Sequence, residues 1–121
     1  MLAVIAISMT TLPGCSLFDV FGDESYHGIV SLGFEVVSFS PCNRHGEQWW
    51  MTGNEVLADL QTEYDDLVES SYEPVYARLK GDPGRRGEYG HLGAYQREFE
   101  VSEIIEVRLP EAGECGLATA N

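Results

Sequence analysis

The sequence predicts a mainly β domain with one α-helix, arranged as a small OB-like, partly open antiparallel barrel with one capping helix. Several segments alternate apolar and polar residues as strands do, and a single central segment repeats apolar residues at helical spacing. A barrel plugged by that helix buries both the inner faces of the strands and the apolar stripe of the helix. A helix packed on one face of an antiparallel sheet is the second arrangement compatible with these patterns.

The region 28–39 predicts the first strand. Its apolar residues first occupy even-numbered positions, Val30, Leu32, Phe34 and Val36, and then odd-numbered positions, Val37 and Phe39. This switch predicts one long, bent strand whose inward face changes at a bulge. Turn-forming residues fill 40–46 and predict a connection. Residues 47–51 predict a short second strand, in which Trp49 and Trp50 point to opposite faces.

The rest of the chain predicts one helix and two or three further strands. Thr52 and Glu55 have the spacing of a capping box, directly before apolar residues at helical spacing, so we expect a helix over 53–69. Alternation predicts a third strand at 75–81, and a glycine-rich loop follows at 81–93. The region 95–109 predicts one long bent strand or two consecutive strands.

The N-terminus indicates export to the bacterial envelope. Residues 1–14 carry no charge and hold an apolar run shorter than the ~20 residues that span a membrane, which is typical of a signal peptide. At the end of this segment, Leu12-Pro13-Gly14-Cys15 resembles the lipobox of bacterial lipoproteins, in which the cysteine thiol receives a lipid. We therefore expect lipidation at Cys15. A soluble protein whose buried first strand ends in a Pro-Gly turn is the alternative.

These observations divide the chain into four parts. We expect a lipoprotein signal peptide at 1–14, a lipidated tether at 15–25, an OB-like domain at 26–115 and a C-terminal tail at 116–121. About a hundred residues outside the leader suffice for one domain with a modest core, but not for two.

The three cysteines are consistent with this organisation. Lipidation of Cys15 leaves Cys42 and Cys115 as one pair in an oxidising compartment, so the sequence predicts a disulfide between them. Such a bond would tie the first strand region to the C-terminal end. Two free thiols are the alternative.

The balance of charge narrows the choice of partner. The chain has 20 acidic and 7 basic side chains and a formal net charge of -13. This surface repels phosphate backbones, so we expect no nucleic acid. It also disfavours anionic lipid headgroups, so membrane attachment should depend on the acyl chains of Cys15. A basic protein partner is compatible with the charge.

We expect neither an enzyme nor a bound cofactor or metal. His27, His45 and His91 lack the spacing of metal ligands on one element, although convergence in space stays open. The chain has no calcium loop of the EF-hand type, no nucleophile elbow, no zinc-protease motif and no phosphate loop. Cys42 near His45 could act as a nucleophile, but pairing with Cys115 is favoured in an oxidising compartment.

Two residue pairs are candidates for contact with a protein partner. Of Trp49 and Trp50, one ring should enter the core while the other lies outside, where it anchors a partner or is covered by the tether or the glycine-rich loop. Arg85 and Arg86 form the only adjacent basic pair, in the long loop that OB-like folds commonly use for binding. A merely solvated pair is the alternative.

Glu35 lies in an otherwise apolar segment. If it is buried, Arg78 or Arg97 is its expected partner. If it lies on the outer face before the bulge, it needs none.

Several segments together resemble the C-terminal OB-fold domain of NlpE-type envelope lipoproteins. They are 33–42 with its Phe-x-x-Cys ending, the Trp49-Trp50 pair, the helix with Leu60 and Tyr64, the Pro-Val-Tyr strand in 74–81, and the final strands. That family consists of outer-membrane lipoproteins linked to copper tolerance and to the signalling of envelope or surface-contact stress. The resemblance implies an OB-like fold and a signalling contact with another envelope protein.

One departure limits what the resemblance implies. The family carries its metal and redox roles on a separate N-terminal domain with a Cys-x-x-Cys motif, and this chain has no such motif. A copper role is therefore not implied. Ser16 directly after Cys15 resembles the sorting signal for the outer membrane, facing the periplasm. The expected function is a non-enzymatic envelope lipoprotein that binds another envelope protein; the alternative is a periplasmic inhibitor or carrier that binds a basic enzyme or a cation.

Overall fold

In the computed structural model, residues 24–117 are described, and they contain five strands and one α-helix. The elements are β1 (Glu24–Gly33), β2 (Val36–Pro41), β3 (Trp49–Thr52), α1 (Asn54–Leu67), β4 (Val75–Asp82) and β5 (Arg97–Arg108), with 3-10 turns at His91–Gly93 and Glu114–Gly116. No helix in this part of the chain is both long and apolar enough to cross a membrane. The predicted signal peptide and Cys15 lie outside the described residues, as do the rest of the tether up to residue 23 and residues 118–121 of the tail.

The strands form one closed barrel in the order β1-β2-β3-β5-β4. Strand β1 pairs with both β2 and β4, and this double pairing closes the sheet. Strands β3 and β5 run parallel, whereas the other neighbours run antiparallel. The prediction of a small OB-like β-barrel with one helix is confirmed. The sheet is closed rather than partly open because every strand has a partner on both sides, including β3 and β5, which pair over four residues.

The prediction of one long first strand is wrong, because the chain forms a hairpin there. Strands β1 and β2 pair antiparallel around a turn at Phe34 and Glu35, with Val30 opposite Phe39. Across a two-residue turn, an even-numbered residue pairs with an odd-numbered one, so the inward positions change parity without a bulge. Phe34 therefore does not point inward, and its side chain is 79% exposed.

The core of the barrel is an aromatic cluster. Trp49, Phe39 and Phe99 are fully buried, and their ring centroids lie 5.1–5.7 Å apart. As predicted, Trp49 points inward while its neighbour Trp50 lies on the outer face. Rings at such distances add to the stability that burial of their apolar area provides.

Helix α1 packs against this core through Leu60 and Tyr64, as its apolar spacing predicts. The Tyr64 hydroxyl donates a hydrogen bond to the carbonyl oxygen of Glu73 at 2.5 Å. The predicted capping box is wrong, since the N-cap is Gly53 and no side chain caps the helix. Thr52 is held in β3 opposite Glu100 and is not at the N-cap position.

Strand β5 is one continuous strand with two bulges, which settles the choice that the sequence left open. Against β4, Arg78 pairs with Glu106 and Leu79 with Ile104, so Ile105 is an extra residue; Ser102 is the other. Bulges of this kind bend a strand and increase its twist, which helps a long strand to follow the barrel.

The predicted disulfide joins Cys42, directly after β2, to Cys115 in the C-terminal segment, with 4.7 Å between their Cα atoms. Beside it, Arg108 forms a bidentate pair with Glu114, with N–O distances of 2.8 and 2.7 Å. The hydrogen bonds from Arg108 lower the pKa of Glu114 to about 2, and the same contacts raise the pKa of Arg108. The C-terminal segment is thus attached to the barrel by a covalent bond and an ion pair.

Candidate functional site

Three connecting segments bring large apolar side chains to one exposed surface. Phe34 in the β1–β2 turn is 79% exposed, Leu92 in the β4–β5 loop is 88% exposed, and Tyr72 between α1 and β4 is 51% exposed. We call these three residues, together with Glu35 and His91, the loop surface. Exposed apolar side chains that cluster in this way are typical of interaction sites.

A contact between a carboxylate and an imidazole joins two of these segments. The Oε2 atom of Glu35 lies 3.1 Å from Nε2 of His91, and both side chains are about half exposed. Of the two positions that the sequence left open for Glu35, the exposed one is observed, although Glu35 lies in the turn rather than within a strand. The contact brings together the segments that carry Phe34 and Leu92, which are the direct sequence neighbours of Glu35 and His91.

Tyr72 attaches the third segment. Its backbone N–H donates to the carbonyl oxygen of Leu32 at 2.9 Å, and its hydroxyl donates to the carbonyl oxygen of Phe34 at 3.2 Å. Its ring lies against Gly33, where a Cβ atom would overlap it. Tyr72 thus supports the β1–β2 turn from the side.

The backbone at the loop surface is unusual. Glu35, Tyr72 and Leu92 have φ angles of 59°, 71° and 59°, and only one other residue with a side chain, Cys115, has a positive φ within 24–117. Such conformations cost of order 1–3 kcal/mol each and persist only when neighbouring contacts enforce them. The fold therefore holds these three side chains in place at a cost in stability, a pattern that recurs at functional sites.

The glycine-rich loop covers part of Trp50. The rings of Trp50 and Tyr95 pack edge to face with centroids 5.0 Å apart. Gly90 lies against both rings, and a Cβ atom there would overlap them. Backbone hydrogen bonds between Tyr89 and Tyr95, at 2.9 and 3.1 Å, close this part of the loop. Burial raises the pKa of the Tyr95 hydroxyl. Within 24–117, the glycine-rich loop covers Trp50 as predicted, whereas the tether up to residue 23, the other predicted cover, lies outside the described residues.

The structure separates the four residues predicted to bind a partner. Trp49 has no exposed surface, so it is removed from that set and belongs to the core. Trp50 is partly exposed beside the loop surface. Arg85 and Arg86 are exposed in the same loop, and neither forms an ion pair or a side-chain hydrogen bond with any residue of 24–117. A partner-binding role for Trp50, Arg85 and Arg86 stays a prediction.

Arg97 pairs with Glu47 rather than with Glu35, with 3.2 Å between Nε and Oε1, and both side chains are largely buried. Partial burial raises the pKa of Glu47, but hydrogen bonds from Trp49 and Arg97 outweigh it, so the pKa lies below its ordinary value. Arg97 also donates to the carbonyl oxygen of Gly84 at 2.7 Å. This pair therefore anchors the glycine-rich loop to the barrel.

One convergence of possible metal ligands arises in space. The ligand atoms of His27, Cys42 and Cys115 lie within 4.8 Å of one another. Both sulfur atoms are in the disulfide, however, and cysteine binds metals as the thiolate. In this oxidised form the cluster offers one imidazole and no thiolate.

A second surface lies on the outside of the barrel. Helix α1 and the second half of β5 enclose an open groove of about 630 Å³. Its rim is acidic, with Asp59 and Glu63 on the helix and Glu103 and Glu106 on the strand. Ile105 is 44% exposed within it.

Comparisons with known proteins do not extend this description. No protein-family model, curated protein or solved structure matches the chain. Sequence reasoning missed Phe34, Tyr72 and Leu92 as surface residues. Phe34 appeared to alternate with strand residues, and nothing in the local sequence indicates that Tyr72 and Leu92 lie near it.

Proposed function

We propose that this protein is a non-enzymatic bacterial envelope lipoprotein whose OB-like barrel binds another envelope protein through the loop surface. The observation that carries the proposal is the exposure of Phe34 and Leu92 on two segments joined by the Glu35–His91 contact. A backbone that the fold already fixes loses little conformational freedom on binding, which favours association.

The contents of the loop surface favour binding over catalysis. Glu35 and His91 contact each other, and neither forms a hydrogen bond with a serine, threonine or cysteine side chain among residues 24–117. A hydrolase of the triad type needs such a nucleophile within reach of its histidine. Apolar side chains beside Trp50 instead match the composition of protein interfaces.

The membrane attachment in this proposal comes from the sequence. Cys15 in its lipobox-like context is the lipidation site, and Ser16 favours the outer membrane with the barrel in the periplasm. The resemblance to NlpE-type lipoproteins supports a role in envelope-stress or surface sensing. The partner is then an envelope protein within reach of a lipid-anchored domain, and Trp50, Arg85 and Arg86 extend the contact along the glycine-rich loop.

A second candidate function is a periplasmic inhibitor or carrier of a basic enzyme or a cation. The net charge of -13 and the acidic groove between α1 and β5 favour it. The two candidates use different surfaces, so an experiment directed at the loop surface separates them.

Site-specific photo-crosslinking in the encoding bacterium tests the proposal. A photoreactive residue at Leu92 is compared with one at Leu109, which is 55% exposed outside the loop surface. We expect a crosslink from position 92 to one envelope sensor or assembly protein, lost in the Phe34→Ser variant and absent from position 109. Equal crosslinking from both positions, none from position 92, or capture there of a lysozyme-like hydrolase would contradict it.

A further inference from the structure

The groove between α1 and β5 exposes an unpaired strand edge. Strand β3 ends at Thr52, opposite Glu100, so among residues 24–117 the only strand paired with 101–108 is β4. A Cβ atom on Gly53 would overlap the carbonyl oxygen of Val101, so the start of α1 covers the edge at this residue, and the part of the edge that faces the groove begins at Ser102. An edge with free peptide groups is a template for pairing with another chain.

The shape of the groove suits an extended segment. It runs along 102–107 of β5 and is bounded on the other side by Val56, Asp59 and Glu63, which lie on one face of α1. Its volume of about 630 Å³ leaves room between helix and strand. Ile105, the extra residue of a bulge, offers an apolar contact inside it.

The charge of the groove indicates which segment it accepts. Asp59 and Glu63 form no ion pair with any residue of the described part, whereas Glu103 pairs with Lys80 at 3.5 Å and Glu106 with Arg108 at 2.7 Å. A second copy of the barrel would bring the same acidic rim against this one. The chain's own residues 16–23 carry Asp19 and Asp23 and no basic residue. Like charges disfavour both occupants.

We propose that this groove binds an extended, basic segment of a partner protein, which adds as a strand along the free edge of β5. Backbone hydrogen bonds to 102–107 provide the pairing, and basic side chains at alternate positions meet Asp59 and Glu63. This surface is separate from the loop surface, so the inference does not rest on the contact proposed there; it deepens the second candidate function, which uses the same groove.

The probe is a capped peptide of alternating lysine and valine, roughly nine residues long, which is the length of a long strand. Its binding to the full chain is measured by isothermal titration calorimetry at physiological salt, and the amides that respond are identified by NMR. We expect saturable binding with equal stoichiometry and shifts centred on 102–107. Absence of saturable binding up to about 1 mM would overturn the proposal.

Two controls separate strand addition from simple attraction of charges. The Asp59→Lys/Glu63→Lys variant reverses the groove, whereas Asp65→Lys/Asp66→Lys makes the same change in charge at exposed positions of α1 that do not line it. We expect the first to weaken binding by roughly tenfold or more and the second by much less. An equal loss of affinity in both variants would show that the peptide is held only by general attraction of charges. If a peptide with alternate amides N-methylated binds as tightly as the original, no strand is added.

Discussion

Glu35 and His91 lie 56 positions apart in the sequence, and their side chains meet at 3.1 Å across the β1–β2 turn and the β4–β5 loop. In an OB-like barrel these two connections flank the region where such folds commonly bind their ligands. The contact therefore fixes the relative position of two segments, each of which carries an exposed apolar side chain next to the charged one.

Glu35→Gln weakens this contact. Exposed ion pairs contribute about 0.2–1 kcal/mol, so we expect a loss of unfolding free energy of no more than about 1 kcal/mol. Local opening of the loop should increase, which hydrogen exchange at the amides of 90–93 measures. The matched control is Glu103→Gln, which removes the exposed pair with Lys80. If exchange at 90–93 is the same in both variants, the Glu35–His91 contact does not hold the loop.

Gly90→Ala tests the contact between the loop and Trp50. Gly90 has φ 69° and ψ -160°, a region that is essentially restricted to glycine, and an added methyl would overlap two rings. We expect Trp50 fluorescence to change and stability to fall by about 2 kcal/mol or more. Gly113→Ala is the control, since Gly113 has φ 74° and ψ 0° with open space around it. A loss no larger than in that control would contradict the packing of the loop on Trp50.

The disulfide contributes a large part of the stability. It joins residues 73 positions apart, and closure of a loop of that length is worth about 4 kcal/mol in the unfolded-chain model. Replacing both Cys42 and Cys115 with serine should lower the unfolding free energy by roughly that amount in chemical denaturation. Denaturation midpoints that coincide for the wild-type and variant proteins would show that the bond is dispensable.

Glu114 makes stability depend on acid pH. Its pKa in the folded protein is about 2, below the ordinary value of 4.5, because it accepts hydrogen bonds from Arg108. A lowered pKa means that the contribution is present above pH 4.5 and is lost as the pH falls towards 2. We expect the wild-type protein to be more stable than Glu114→Gln at neutral pH and this difference to shrink between those values. A difference independent of pH would contradict the ion pair.

The elements that the sequence predicts well are those whose burial follows from local periodicity. Leu60 and Tyr64 in α1 and Val75 and Leu79 in β4 are buried as their spacing indicates. The β1–β2 hairpin was missed because Phe34 and Glu35 are not typical turn residues, although Glu35 adopts a left-handed conformation there. The change in parity of the apolar residues did mark a change in the chain, but its cause is a hairpin turn rather than a bulge.

The candidate sites depend on contacts between distant segments, so the sequence indicates little of them. Arg97 and Glu47 are paired across 50 positions, and local spacing cannot distinguish this pair from the pairing with Glu35 that the sequence also allowed. Thr52 was predicted to cap α1, but pairing of β3 with β5 keeps it in the sheet. In contrast, the disulfide was predictable because the expected lipidation of Cys15 leaves only two cysteines to pair.

Intact mass of the protein extracted from membranes of the encoding bacterium tests the central claim most directly. The account predicts a chain that begins at Cys15, carries a diacylglyceryl group and has lost the two thiol hydrogens of Cys42 and Cys115. A mature protein that retains residues before Cys15 and carries no lipid would contradict it.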